Sequence, residues 1–358
     1  MVGIVCTPNH FIFKLEEEMN LAVIDGSLLA FRAAAAGEKR TIRVTHLSSG
    51  RKQKFQNRRE FTNYLKGINE NRAEDKQFYA TDFEVEDVIV SPEIGNSIHI
   101  LKNLIKTILS GCDADDYVIF LDDGEPTFRH DLATMQEYKG SRHGKIKPKN
   151  VQKVKDYLVM YMGAKVVSTV EADDYLNFYQ WRGFKRTKDG KNDKIISVTF
   201  DKDAFGCPGW IYDFRKHANG KPYMREPMFI EGLGELHVDE NNSVKGTGRK
   251  FFYHQVLFGD NADDYRGNKL ANKPFGEKAS FNILENLETD QECLQAIVDQ
   301  YKEWYGEKKF KYISWRGDKL SATWFTFLEE IWMLAYMRRT EDDVPDVLSI
   351  LKSLDVEV

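Results

Sequence analysis

An α/β fold with a central, mostly parallel sheet flanked by helices is the architecture this sequence predicts, and two observations predict it. Three short, unbroken apolar runs each end in aspartate: "LAVIDG" at 21–26, "YVIFLDDG" at 117–124 and "IISVTFDKD" at 195–203. Their β-branched and aromatic content, without polar alternation, is that of strands buried on both faces, as in parallel sheets. Between them lie stretches of helical period. In "HILKNLIKTILSG", Leu101, Leu104, Ile105, Ile108 and Leu109 recur at i, i+3, i+4, i+7 and i+8, and Gly111 ends the run. Strand–helix alternation of this kind places a functional site at the carboxyl ends of the strands, where the aspartates stand.

The remaining elements follow in chain order. "TIRVTHLSSGRKQKFQ" predicts a hairpin turning at Ser48 to Gly50, inside an inserted, charged segment over about 38–95. A second insertion, about 206–250, carries "KHANGKPY" and "EGLGELHVDENNSVKGTG" and is expected to form hairpins on one sheet edge. Beyond Gly259 the chain reads as mostly helical. "SATWFTFLEEIWMLAYMRR" opens with Ser321 as the expected N-cap, and its aromatics at helical spacing are expected in the core.

At 358 residues and 42% hydrophobic content the chain can bury one large core or two medium ones. It holds no apolar run of about 18 residues, and its start, "MVGIVCTPNHFIFKLEEEMN", lacks a basic region followed by a small-residue cleavage site. The expectation is a soluble cytoplasmic protein with no membrane partner. Cys6, Cys112, Cys207 and Cys293 stand too far apart for a C-x-x-C motif and are too few for a disulfide framework, which suits a reducing compartment. The net charge of −5 counts weakly against a nucleic-acid partner, but phosphate contacts follow distribution rather than net value. "KGSRHGKIKPKNVQKVK", from Lys139 to Lys155, contains Lys139, Arg142, Lys145, Lys147, Lys149, Lys153 and Lys155 and no acid. By itself such a run is usually a solvated face.

The acids carry more. Asp25, Asp122, Glu171, Asp173, Asp174, Asp201, Asp203, Asp260 and Asp263 fall at the ends of the three strands and at two loop–helix junctions. One of these alone does no more than favour a helix N-terminus. If the strands are neighbours, all nine approach one cleft, where unneutralised carboxylates repel by several kcal/mol or must take up protons. An all-oxygen set of this density suits Mg²⁺ or Mn²⁺, and the lack of His or Cys disfavours zinc. In "EADDY" the helix turns Glu171 and Asp174, at i and i+3, to one side, with Asp173 at its edge. Two divalent ions roughly 4 Å apart can activate a water and clamp a scissile phosphate, so the set points to phosphodiester hydrolysis. The basic stretch leaves the sheet near Asp122 and returns at Glu171, above such a site.

Five segments in register then show a resemblance. "VIDGSLLAFRA", "FLDDGEPTFRHDLATMQEYKGSR", "VEADDYL", "TFDKDAF" and "GDNADDYRG" are similar, in order and over about 250 residues, to motifs of the 5′-nuclease superfamily. That family comprises flap endonucleases, the 5′→3′ exonuclease domains of bacterial DNA polymerases and bacteriophage 5′→3′ exonucleases. The resemblance implies a PIN-like α/β nuclease domain over 1–255 with a helical arch over about 128–155. A DNA-binding element of helix-hairpin-helix type over 256–290 and a helical extension over 291–358 would follow. It implies that Asp25, Asp122, Glu171, Asp173 and Asp174 surround one Mg²⁺, with Asp201, Asp203, Asp260 and Asp263 nearer a second, Mn²⁺ being able to substitute. Lys139 and Arg142 would reach from the arch to the scissile phosphate as catalytic cations, and Tyr138 would stack on the terminal base. Arg129 would pack beneath the arch or contact substrate, with Lys145, Lys147 and Lys149 along the nucleic-acid path. Gly276 and Lys278 match the duplex anchor, although "NKLANKPFGEKASFNIL" is longer than the family's hairpin, lacks its first glycine, and has Pro274, which offers no N–H. The family's K⁺ ion is admitted there, and these departures count against it. "IKPKNVQKVKDYL" and "GRKQKFQNRREF" are similar to bacteriophage members. The implied activity is a Mg²⁺-dependent 5′→3′ exonuclease or flap endonuclease of phage replication or recombination, its partner being DNA with a free 5′ end or flap. Removal of RNA from RNA–DNA hybrids and non-catalytic binding of DNA structures are the alternatives.

Overall fold

The computed structural model describes residues 19–217, 219–271 and 273–358. Cys6 and the start of the chain lie outside them. The chain divides into two compact units, one of residues up to Ser27, Ile105–Lys145 and Met162–Val358, the other of Leu28–Leu104 and Ile146–Tyr161.

The first unit is built on a six-stranded sheet in the order Lys165–Val167, Asp116–Asp122, Leu21–Asp25, Ile195–Val198, Gly209–Tyr212, Met228–Ile230. All neighbours are parallel except the last pair. The three strands read from the sequence are adjacent. Leu21 lies opposite both Asp116 and Ile195, so the strands run in register toward one end, where Asp25, Asp122 and the 199–203 loop emerge together. Leu21, Ala22, Val23 and Ile24 are wholly buried, as parallel strands covered on both faces must be. Gly26 follows at once: a Cβ there would meet the Phe120 carbonyl at 2.6 Å, so only glycine lets the chain turn here and bring Asp25 beside the neighbouring strand.

The helix Ala172–Lys188 packs Leu176 and Tyr179 onto Leu21, Val23 and Phe120 of the sheet. Within the segment expected as edge hairpins, Gly209–Tyr212 is a further parallel strand and Met228–Ile230 closes the edge antiparallel. A separate hairpin, Leu236–Val238 with Val244–Gly246, comes next. The helices Gly248–Phe258 and Glu277–Leu284 are joined by a long turn-rich loop. After Asp290–Tyr305 comes a hairpin of Phe310–Ile313 and Lys319–Ala322 that interrupts the expected helical run. Ser321 lies in that hairpin; the N-cap of the helix Trp324–Ala335 is Thr323. The aromatic stripe is core, with Trp324, Phe327 and Trp332 packed against Tyr253, Tyr301 and Trp304.

The second unit has a three-stranded antiparallel sheet with Lys39–His46 between Lys52–Phe55 and Phe83–Val90, the hairpin expected at Ser48 to Gly50. Its helix Arg58–Asn69 is capped by Asn57, whose Oδ1 accepts from the Glu60 N–H at 2.9 Å, and buries Phe61 and Leu65 on Ile42, Val44 and Phe55. The 128–155 segment is shared between the units. It contains the short helix Phe128–Leu132, a 3₁₀ turn at Gly140–Arg142 and the start of the helix Val151–Met162. No helix among the described residues is long and apolar enough to cross a membrane.

Candidate functional site

At the carboxyl end of the sheet the strand-end acids are held in fixed orientations. Asp122 accepts from the Ala172 N–H at 2.7 Å and from the Ser27 hydroxyl at 3.2 Å, so the starts of two helices, Ala172–Lys188 and Gly26–Ala35, both aim it. Asp25, 3% exposed, accepts from the Thr199 hydroxyl at 3.3 Å, and Thr199 Oγ1 in turn accepts from the Asp201 N–H at 3.0 Å. Asp201 accepts from the Asp203 N–H at 3.2 Å, and Asp203 takes the side-chain amide of Gln255. Asp260 pairs with Lys202 at 3.0 Å. Burial, and after it the carboxylates of Asp25, Asp201 and Asp122, push the Asp173 carboxyl well above its ordinary range. Burial together with Asp201, Asp260 and Asp263 does the same to Asp203. Burial also raises Asp201, with Asp263 and Asp260 adding to it against the Asp203 N–H bond.

Glu171 is the N-cap of the helix Ala172–Lys188 and Asp174 its third residue, whose Oδ2 accepts from the Glu171 N–H at 3.3 Å. Asp174 is 0% exposed, and Arg129, 1% exposed, grips both its oxygens at 2.7 and 2.8 Å. The same guanidinium donates to the carbonyls of Leu334 at 3.2 Å and Tyr336 at 2.9 Å. Arg129 thus fastens the carboxylate-bearing helix to the C-terminal helical layer and presents nothing to a nucleic acid. Tyr138 is likewise buried at 3%, its hydroxyl donating to Asp263 at 2.8 Å and Glu171 at 3.3 Å, so it offers no ring face to a base. Neither buried position was legible locally, because the partners lie 33 to 207 residues away.

Lys139 and Arg142 lie on the carboxylates. Lys139 Nζ is 2.6 Å from Glu171 and 3.6 Å from Asp263, and Arg142 pairs with Asp263. Burial works against their charge, but Asp263 and Glu171 outweigh it and raise both cations' pKa values. Reciprocally, burial of Asp263 is outweighed by Lys139 and Arg142, which hold its carboxyl below the usual value. The loop is also tied by backbone: the Lys139 N–H donates to the Asp263 carbonyl at 2.9 Å and the Ser141 N–H to Asp264 at 2.7 Å. Lys139 takes a left-handed conformation, φ 56°, which turns its side chain back onto the cluster.

Lys145, Lys147 and Lys149 are exposed, the last two in the second unit. Gly276 caps the helix Glu277–Leu284, with Lys278 exposed on its first turn. Beside the Asp260–Asp264 loop a cleft of about 590 Å³ is lined by Asn261, Arg266, Lys269 and Lys273. Participants that sequence reasoning missed include Ser27, Thr199, Lys202 and Gln255. Asn177 and Gln180 are two more, and they carried a signal: with Asp173 they fall at i, i+4 and i+7 on one helix face.

Whether divalent cations fit is decided by the donors. All nine acids offer oxygen donors, and Arg129, Lys139, Arg142 and Lys202 offset part of their charge. The hydroxyl of Tyr265, buried beside Asp203, Asp260 and Asp263, has no hydrogen-bond partner. The set therefore suits a hard, oxygen-seeking cation. Among the described residues, no group of three or more His, Cys, Asp or Glu side chains is placed so that it could hold a metal ion.

No protein-family model and no curated protein matches this chain. Solved structures do. One, T5 5′-exonuclease with bound zinc ions, is 15% identical, with a TM-score of 0.42 over 94% of this chain and 98% of that one. A T5 protein co-crystallised with metal ions is 14% identical, TM-score 0.41, over 94% and 96%. A bacteriophage T5 flap endonuclease in a pseudo-enzyme–product complex with DNA and metal ions is 14% identical, TM-score 0.42, over 94% and 97%. Across nearly its whole length the chain is thus structurally matched to a phage 5′-nuclease at low sequence identity.

Proposed function

We propose that this protein is a metal-dependent 5′ nuclease that hydrolyses phosphodiesters at the 5′ ends or flaps of DNA. The observation that carries the reading is the adjacent, parallel register of Leu21–Asp25, Asp116–Asp122 and Ile195–Val198, which brings out Asp25, Asp122 and the 199–203 loop at one end of the sheet. Asp25, Asp122, Glu171 and Asp173 would hold one Mg²⁺ or Mn²⁺, and Asp201, Asp203, Asp260 and Asp263 a second. When bound, such ions neutralise a phosphate and activate water. Asp174, its oxygens taken by Arg129, positions the helix that carries Asp173.

The chain's own cations do the rest. Lys139 and Arg142 hold carboxylates in the free protein. A substrate phosphate offers them oxygens of the same kind, and cations aimed at charge that grows in the transition state act more strongly there than in the ground state. The backbone bonds from Lys139 and Ser141 to the 263–264 loop keep that pair preorganised. The test is a time course on a 5′-labelled flap, a nicked duplex, a single strand and an RNA–DNA hybrid, each with and without Mg²⁺. Mg²⁺-dependent release from 5′ ends of DNA is expected. Cleavage of the hybrid alone would select the RNA-removing reading, and tight binding of the flap with no cleavage would select the non-catalytic one.

A further inference from the structure

A cavity of about 10 Å³, room for one water-sized sphere, lies between the helix Ala172–Lys188 and the strand Ile195–Val198. Asn177 and Gln180, one helical turn apart, line it together with Ser197, and these residues are 2%, 0% and 0% exposed. Asn177 Nδ2 donates to the carbonyls of Met337 at 2.9 Å and Arg338 at 2.7 Å. Gln180 Nε2 donates to those of Ala204 at 3.1 Å and Cys207 at 3.0 Å. Both hydrogens of each amide are used, so neither group can turn over without losing two bonds, and the amide orientations are dictated by their surroundings. What remains is Asn177 Oδ1, Gln180 Oε1 and Ser197 Oγ, all sealed from solvent and all without a hydrogen-bond partner. Asp173, Asp201 and Asp203 line the same cavity.

We propose that this cavity binds a monovalent cation of K⁺ size, coordinated by the side-chain oxygens of Asn177, Gln180 and Ser197. Buried oxygens left without a partner need one, and a cation answers all three. A divalent ion such as Mg²⁺ keeps several waters and demands octahedral geometry, for which a one-sphere cavity has no room. K⁺ is close to water in size, and carbonyl oxygens replace its hydration shell. The inference does not rest on the nuclease reading, since its ligands are neutral oxygens and its test reads occupancy rather than cleavage.

The test is anomalous diffraction from crystals of the full chain grown in RbCl, with LiCl as the control. A Rb⁺ peak bounded by Asn177, Gln180 and Ser197 is expected. In solution with Mg²⁺ present, KCl should raise the melting temperature saturably above LiCl of equal ionic strength. Ser197→Ala, which removes one ligand and no hydrogen bond to protein, should weaken the apparent K⁺ affinity about tenfold. A water without anomalous signal in the RbCl crystals, or an unchanged K⁺ response in S197A, overturns the proposal. Should S197A fail to fold, the map of the unaltered protein decides alone. A Rb⁺ peak in a protein that cleaves nothing would leave this site standing and the nuclease reading fallen.

Discussion

Replacing Arg129 by methionine removes the strut between the carboxylate-bearing helix and the C-terminal layer. The wild-type guanidinium makes four hydrogen bonds, two to Asp174 and two to the carbonyls of Leu334 and Tyr336; all are buried but the one to Tyr336, which is partly so. Methionine keeps the apolar stem but strands the Asp174 carboxylate at 0% exposure. Breaking a buried pair by removing one partner costs about 3–5 kcal/mol, because the remaining charge stays desolvated. Unfolding entropy scales with length, so for a chain of 358 residues each kcal/mol is worth about 1–2 °C, and the melting temperature should fall by about 3–10 °C. The double variant Arg129→Met with Asp174→Leu removes both charges, and since apolar replacement of a buried pair is often neutral, it should recover most of the loss. The assay is calorimetry of the wild type, both single variants and the double. A loss below about 1 kcal/mol in R129M, or a double variant no more stable than the singles, would refute the strut.

Other consequences are quicker to check. Lys139→Ala should slow cleavage at saturating substrate by at least about a hundredfold with a smaller change in affinity, read as kcat against KM; equal losses in both would contradict its assignment to the reacting phosphate. Burial pushes His254 down to about 3 from its usual 6.5, its Nδ1 hydrogen-bonded to Ser280 Oγ at 2.9 Å. The folded value lies below the unfolded one, so the unfolded state binds the extra proton; stability is unaffected above pH 6.5 and declines between 6.5 and 3, by at most about 1.4 kcal/mol per pH unit. Denaturant titrations across that window should show a flatter slope in His254→Gln, and an unaltered slope would contradict the assignment. Burial raises Cys112 and Cys207 to about 12 and Cys293 to about 11, so none of the three should react with iodoacetamide at pH 8 until the protein unfolds, by peptide mass mapping.

Strands buried on both faces announce themselves, which is why Leu21–Asp25, Asp116–Asp122 and Ile195–Val198, with the acids at their ends, could be read directly. Gly209–Tyr212 could not: four residues opening on glycine look like part of a loop, and only pairing with Ile195–Val198 makes them a strand. The hairpin Phe310–Ile313 with Lys319–Ala322 is short and half exposed, so it yields no apolar run, and Ser321 competes with Thr323 as a cap on equal local chemistry. The nine acids stood out in the sequence because they fall at strand ends and loop–helix junctions. The roles of Arg129 and Tyr138 did not, since neither residue's neighbours in sequence mark the buried carboxylate it meets. The amide face of Asn177 and Gln180 was visible as spacing, yet its meaning depends on the carbonyls of Ala204, Cys207, Met337 and Arg338 that turn both oxygens inward.

The central claim, that these acids converge in order to bind divalent ions, is tested most directly by titrating free Mn²⁺ by electron paramagnetic resonance in the wild type and in Asp173→Asn. Two ions bound per wild-type chain, displaceable by Mg²⁺, with at least one lost or weakened more than tenfold in the variant, is the predicted result. A wild-type chain that binds no Mn²⁺ at millimolar concentration, or a variant that binds it equally well, would contradict the account.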